Sequence, residues 1–333
     1  MRIRYEDLLA RFKEVLMSRG LAEDYAEEAA AVFAGNSLDG MYSHGANRFP
    51  RIIGDIDKGA IDPSASPTCE MAAGAMERWD GHRGFGPLNA RLAMNRAIEL
   101  AKEHGIGLVA LGNNNHWLRG GSYGWQAANA GCIGICWSNT MPNMPVWGGK
   151  DIKIGNNPLV LAVPRSSGRH MVVDCALSQF SYGKLEETRL KGLKLPVAGG
   201  YDSQGNLTTD PGEIEKTRRM LPMGYWKGSG LSIALDLIAT VLTNANSVKK
   251  IGTFEAEAGL SQVMIAIDPG KFGTVQETDA IADEILADVK ASVPVEEGKE
   301  VRYPGERELK TREENLREGI PVIDEVWEKI GGL

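Results

Sequence analysis

Apolar residues recur along this chain with two periods, and the period changes near residue 105. Leu8, Leu9, Phe12, Val15 and Leu16 stand three and four apart, which predicts a helix over 5–19 with Gly20 as its stop. Tyr25, Ala29, Val32 and Phe33 predict a second over 23–34. A third is expected over 48–58, with Pro50 in its first turn and Gly59 after its end. If a helix opens at Gly45 or Asn47, His44 stands at its entry and Arg48 one turn in. Residues 60–84, with Pro63, Pro67 and Asp80-Gly81, read as irregular chain and short strands. A strong helix is predicted over 86–102, closed by His104-Gly105.

Beyond residue 105 short apolar runs take over. Strands are expected at 106–111, 132–137, 154–164, 171–175 and 262–267, and helices near 122–129, 179–191, 229–244 and 278–292. The tail 307–330 returns to helix with one break at Gly319-Ile320-Pro321. Strands interspersed with helices indicate an α/β protein. The chain reads as one unit over 1–333. Its soft subdivision is a mainly helical part, 1–105 plus 301–333, and a sheet-bearing part, 106–300.

Composition changes this picture little. With 43% hydrophobic and 24% charged residues, the 333-residue chain is an ordinary globular protein by content. A net charge of -7 without a basic run argues against a nucleic-acid partner. The N-terminus lacks the apolar core of a signal peptide, and no window approaches the roughly 18 apolar residues of a membrane span. A cytoplasmic protein is expected. Cys69, Cys132, Cys136 and Cys175 are too few for a disulfide framework and read as buried, reduced thiols. The five histidines are scattered and no metal site is expected.

The candidate chemistry centres on Ser43-His44-Gly45-Ala46-Asn47-Arg48. An imidazole exchanges protons near neutral pH, and a guanidinium four residues on offers a planar fork to a carboxylate. Asn115 and His116, after a strand, could orient a substrate oxygen, with a structural histidine as the alternative. Asp174, ending a strand, could accept a ribose hydroxyl. Tyr225-Trp226-Lys227-Gly228-Ser229-Gly230 reads either as an anion cradle or as a glycine-rich helix packed on a neighbour. Neither a G-x-G-x-x-G unit between strand and helix nor a G-x-x-x-x-G-K-[ST] loop is present, so any nucleotide is bound in another way.

Ser43-His44-Gly45 with Arg48, Asn115-His116-Trp117, Gly155-Asn156-Asn157-Pro158, Val173-Asp174, Lys227-Gly228-Ser229-Gly230 and Pro304-Gly305-Glu306 occur in that order. Together they resemble the malate/L-lactate dehydrogenase family of the non-Rossmann type over essentially the whole chain. The resemblance implies a non-Rossmann mixed-sheet core flanked by helices, with helical segments at both ends. It also implies a homodimer and an extended NAD(P)H near the dimer interface, with NADH preferred and NADPH possible. The segment 164–170, rich in basic residues, bears on that preference.

By the same resemblance His44 is the proton donor, and Ser43, Arg48, Asn115 and His116 bind substrate. The cofactor would be met by Val173, Asp174, Cys175, Ala176, Leu177 and Ser178, by Trp226 and Lys227, and by Pro304, Gly305 and Glu306. The expected reaction is reduction of the C2 carbonyl of a 2-oxo sugar acid, with His44 as imidazolium. Alternatives are a dehydrogenase for another 2-hydroxy acid (malate, lactate, ureidoglycolate), a cyclic imino-acid reductase, or a non-catalytic NADH-binding protein.

Overall fold

The computed structural model describes residues 1–333. Its helices, in chain order, are α1 (Tyr5–Ser18), α2 (Glu23–Leu38), α3 (Phe49–Asp57), α4 (Gly86–His104), α5 (Gly121–Asn129), α6 (Tyr182–Leu190), α7 (Pro211–Thr217), α8 (Trp226–Thr243), α9 (Val248–Ile251), α10 (Val275–Lys290), α11 (Glu306–Glu318) and α12 (Asp324–Gly331). Seven strands form the central sheet: β1 (Thr68–Ala73), β2 (Met76–Asp80), β3 (Ile106–Asn115), β4 (Ile133–Ser138), β5 (Leu159–Val163), β6 (Met171–Cys175) and β7 (Ala258–Ile267). Their order is β1-β2-β3-β7-β4-β5-β6. Only β2 and β3 run parallel, joined through α4; every other pair is antiparallel. The mixed-sheet α/β expectation is met, and a sheet of this order is not a doubly wound nucleotide fold.

Three apolar clusters hold the layers. Leu8, Phe12, Phe33, Phe49 and Ile53 knit α1–α3 into the helical layer. The Phe12 and Phe49 rings stack at 4.2 Å, and Phe33 meets Phe49 edge-on at 5.0 Å. The second cluster packs Ala93, Met94 and Ala97 of α4 and Ala127 of α5 on the sheet residues Val109, Cys136, Val160 and Met264. The third joins Leu235 and Ala239 of α8 to Trp137 and Val263 from the other face. Arg2–Ile3 pairs antiparallel with Ile320–Pro321, the break expected in the tail.

Several boundaries differ from the pattern reading. Helix α2 runs four residues past 34, because Asn36 and Ser37 are buried rather than loop residues. Strand β3 continues through Gly112 to Asn115, a stretch read as loop; β7 pairs along it to the Ala258–Asn115 register, so tertiary pairing overrides the polar composition. The strand expected over 154–164 is split: Ile152–Ile154 pairs with Met144–Pro145, and Leu159–Val163 follows the Gly155–Pro158 turn. Helix α7, capped by Asp210, was not foreseen. The cysteines are all free, yet Cys69 is exposed and Cys175 only half-buried, which corrects the reading of four buried thiols. No helix is long and apolar enough to cross a membrane.

Candidate active site

Residues 42–44 form one 3-10 turn, and α3 begins only at Phe49. His44 is therefore not at a helix entry. Arg48 is the residue that caps α3 rather than one turn inside it. What fixes the His44 loop is the last turn of α2. Asn36 Nδ2 donates to the His44 carbonyl (3.0 Å), and the Ala46 amide donates to Ser37 Oγ (2.9 Å). Gly45 is required here: a Cβ would stand 2.1 Å from Ser37 Oγ and 2.8 Å from Ser37 N. Neither Asn36 nor Ser37 was singled out by sequence; both lie past the expected helix end and are buried by the fold.

His44 and His116 are brought together. Their rings lie near-parallel (16°) with centroids 6.0 Å apart. His116 Nδ1 accepts from the Leu118 amide (3.0 Å), which leaves the proton on Nε2 to be donated. Ser43 Oγ lies 3.2 Å from His44 Nδ1. Burial, then the Arg48 and Arg119 charges, push the His44 pKa down to about 4. His116 is lowered too, first by burial and then by Arg48. Both shifts favour the neutral imidazole, so the imidazolium expected in the reaction needs a charge that offsets Arg48 and Arg119.

Arg48 faces the same place. Its Nη2 stands 3.7 Å from Glu257 Oε2, and its buried Nε has no partner. A buried guanidinium N–H without an acceptor is costly unless a ligand supplies one. Glu257, unforeseen from sequence, precedes Ala258, which pairs with Asn115, the residue before His116. Arg119 is buried as well, with Nη1 2.5 Å from Asp39 Oδ2. Asp39 also takes Arg312 Nε at 2.7 Å, which ties α11 to the end of α2.

Asn115 is not available in the way expected. It is buried, and its Nδ2 is spent on the carbonyls of Ala60, Arg83 and Gly84; only its Oδ1 lacks a partner. Its role is to hold the 83–84 loop to the end of β3.

The expected cofactor residues fall in two connected groups. Along edge strand β6, Val173 is half-buried and Asp174 is exposed, its Oδ2 accepting the Gly121 amide at 2.7 Å at the start of α5. The Val172 amide donates to Pro304 O (3.1 Å), which lays Pro304-Gly305-Glu306 against that strand. Gly305 has φ 100°, and a Cβ there would stand 2.8 Å from His170 O. Glu306 pairs with Lys290 through Oε1, while its Oε2 is buried and unpartnered.

The second group is the start of α8. The Met223 amide donates to Leu177 O (2.8 Å) and the Gln179 amide to Leu221 O (2.7 Å). Leu177 and Ser178 are buried, so their side chains are core, while Cys175 and Ala176 remain partly accessible. Trp226 is 65% exposed, with Lys227 Nζ 5.9 Å from its ring centre. Gly228 lies inside α8, and its missing Cβ makes room for Met223 O at 2.3 Å. Of the two readings of that glycine stretch, packing accounts for Gly228.

Arg48, whose Nε lacks an acceptor while its Nη2 pairs with Glu257, stands beside two imidazoles on a mixed sheet, a set of groups suited to the oxygens of an anionic oxo or hydroxy acid. Comparison with known proteins agrees. A family model described as malate/L-lactate dehydrogenase matches residues 3–331. The chain is 50% identical over 334 residues to the 2,3-diketo-L-gulonate reductase of Salmonella typhimurium, covering 100% of both. Among solved structures, sulfolactate dehydrogenase from Methanocaldococcus jannaschii superposes with TM-score 0.89 at 30% identity, covering 99% of this chain and 95% of that one. Malate dehydrogenase from Pyrococcus horikoshii gives TM-score 0.90 at 27% identity, covering 100% and 94%. The chain belongs to the malate/L-lactate dehydrogenase family. It is an oxidoreductase, and its membership implies a nicotinamide cofactor.

Proposed function

We propose that the protein reduces the C2 carbonyl of 2,3-diketo-L-gulonate with NADH, giving 3-dehydro-L-gulonate, as one catalytic unit in the cytoplasm. The observation that carries this reading is the His44–His116–Arg48 cluster within a chain half-identical, end to end, to 2,3-diketo-L-gulonate reductases. Arg48 holds the C1 carboxylate, which gives its Nε an acceptor and fixes which face of the carbonyl is presented. When bound, the reduced nicotinamide supplies the hydride. His44 stabilises the charge growing on the C2 oxygen and donates the proton. A carboxylate on Arg48 offsets one of the two cations that depress His44, so substrate binding itself favours the protonated ring. His116 Nε2 and Ser43 Oγ remain to donate to oxygens further along the substrate.

The chain's residues fit a nicotinamide dinucleotide. Glu306 Oε2 is buried without a donor, and Gly305, with no room for a Cβ beside His170 O, lets the 304–306 segment lie close against β6. Asp174 and Cys175–Ala176 on β6, with Pro304-Gly305-Glu306, form one wall; Trp226 and Lys227 stand at the start of α8. Arg165 of the basic 164–170 segment is already spent on Asp283 and the Tyr303 hydroxyl. With that charge neutralised, the Asp174 and Glu306 carboxylates favour a free ribose hydroxyl over a phosphate, hence NADH over NADPH.

A second copy of the chain is the partner we assign. Helix α8 is apolar on nearly every face yet leaves Leu231, Leu237, Ile238 and Val241 exposed, a helix face suited to burial between protomers.

The test follows NADH and NADPH oxidation with 2,3-diketo-L-gulonate and a panel of 2-oxo and cyclic imino acids. Fast NADH oxidation with diketogulonate, lost in His44→Ala while NADH still binds, supports the reading. Faster turnover of oxaloacetate or pyruvate would favour the second reading, a dehydrogenase of another 2-hydroxy acid, which the names of the structural relatives motivate.

A further inference from the structure

Glu257 is the one carboxylate within ion-pair distance of the anion clamp, and the mechanism above does not use it. Its side chain is 15% exposed. Oε1 accepts the Met141 amide at 3.3 Å, and Oε2 stands 3.7 Å from Arg48 Nη2. Its charge also reaches the phenol of Tyr182, on the first turn of α6. That helix touches the catalytic loop: a Cβ on Gly183 would stand 3.1 Å from Ser43 Cβ. Glu257 therefore belongs to the cleft that holds His44, Arg48 and His116.

We propose that Glu257 is the selectivity residue of this cleft, restricting it to 2-oxo acids that carry a single carboxylate and an uncharged, hydroxyl-bearing tail. The inference rests on the reading that Arg48 takes the C1 carboxylate. With that carboxylate bound, the positive charge of Arg48 is shared between two anions. A second carboxylate in the same cleft faces Glu257 at close range. Arg119 is paired with Asp39, and Arg51 and Arg218, whose charges reach the cleft, stand on exposed side chains where solvent screens them. Two like charges about 6 Å apart at an effective dielectric near 20 repel enough to weaken binding roughly a hundredfold, and screening reduces this toward tenfold. A hydroxyl in the same place meets an acceptor in Glu257 and a donor-acceptor in Tyr182. The site is thereby set against the diacids named for its structural relatives.

The experiment measures dissociation constants of 2-hydroxybutanoate and malate for the NADH-loaded enzyme. Neither acid can be reduced by NADH, so the readout does not require turnover. Wild type is expected to bind 2-hydroxybutanoate at least about tenfold tighter than malate. Glu257→Gln should bring the ratio close to one, chiefly through the malate constant. Equal or tighter binding of malate by wild type would overturn the proposal, as would a ratio unchanged in Glu257→Gln. Malate binding lost in Arg218→Ala would also overturn it, by showing that a second cation serves the tail. Failure of the reductase reading would show separately, as absence of NADH oxidation with every acid in the panel.

Discussion

Replacing Arg48 with glutamine tests two functions of one side chain. The substitution keeps a polar side chain with an amide donor but is shorter and removes the charge and the fork. A hydrogen bond between charged partners contributes about 1.5–3 kcal/mol net, so loss of the carboxylate clamp should raise KM by about tenfold to 150-fold. The same change removes the second-largest influence that depresses His44. The His44 pKa should then climb from about 4 toward the ordinary 6.5, without reaching it, since burial remains the largest cause. Glu257 loses its cation at 3.7 Å and pushes in the same direction. The assay is steady-state NADH oxidation over a pH series, with thermal melting as the check on folding. A KM within about threefold of wild type would refute the clamp. A raised KM with an unmoved pH limb would keep the clamp and refute the electrostatic account of His44.

The pH profiles of the wild type should themselves separate. Reduction needs a protonated His44, so rates fall as pH rises through its pKa. The kcat/KM limb reports the free enzyme, near 4, while the kcat limb reports the substrate complex and should lie higher; coincident limbs near 6.5 would sink this. Stability should follow the depressed pKa: between about 6.5 and 4 the unfolded chain binds a proton the fold refuses, so stability is lost as pH falls through that window. Denaturant melts should show this loss shrinking in His44→Gln. Gly45→Ala should cost about 1–3 kcal/mol by overpacking Ser37 and should lower kcat by displacing the His44 carbonyl from Asn36; a melt and a kcat at wild-type values would show that the loop absorbs a methyl. Leu237→Asp on α8 should shift the sedimenting species toward a single protomer, and an unchanged species would locate the interface elsewhere.

The helices of the apolar layer were legible because their periodicity serves one-sided burial, as in α1 and α3. The far end of β3 was not. Gly112-Asn113-Asn114-Asn115 carries no strand propensity, and only β7, some 150 residues away, makes it a strand. Asn114 shows the reason: its amide donates to Gln262 Oε1 at 2.8 Å, so a polar strand end is satisfied inside the sheet. For the site, residue types marked His44, Arg48 and His116, since few side chains exchange protons or fork a carboxylate. Glu257 and Asn36 were invisible because a glutamate in a loop and an asparagine at a helix end have many commoner uses. Their placement is a property of the fold. The electrostatic setting of His44 was not legible for a related reason: burial and two arginines lower its pKa, and one of them, Arg119, comes from a distant loop.

The tie between Asp39 and Arg312 also bears on how the protein is made. The catalytic loop emerges early in synthesis, but two of the contacts that steady the helix end beneath it bridge 273 residues (Arg312 to Asp39) and 277 residues (Asn315 to the Leu38 carbonyl). At about 5–20 residues per second, some 14–55 s separate the two halves of that support on the ribosome. Until then the first helices have each other but not their brace, and the edge of the sheet waits for the 304–306 segment. A nascent chain therefore holds the His44 loop in place only after Arg312 and Asn315 have emerged, and messages cut short before residue 312 should yield chains that are targets for chaperones rather than slow enzymes.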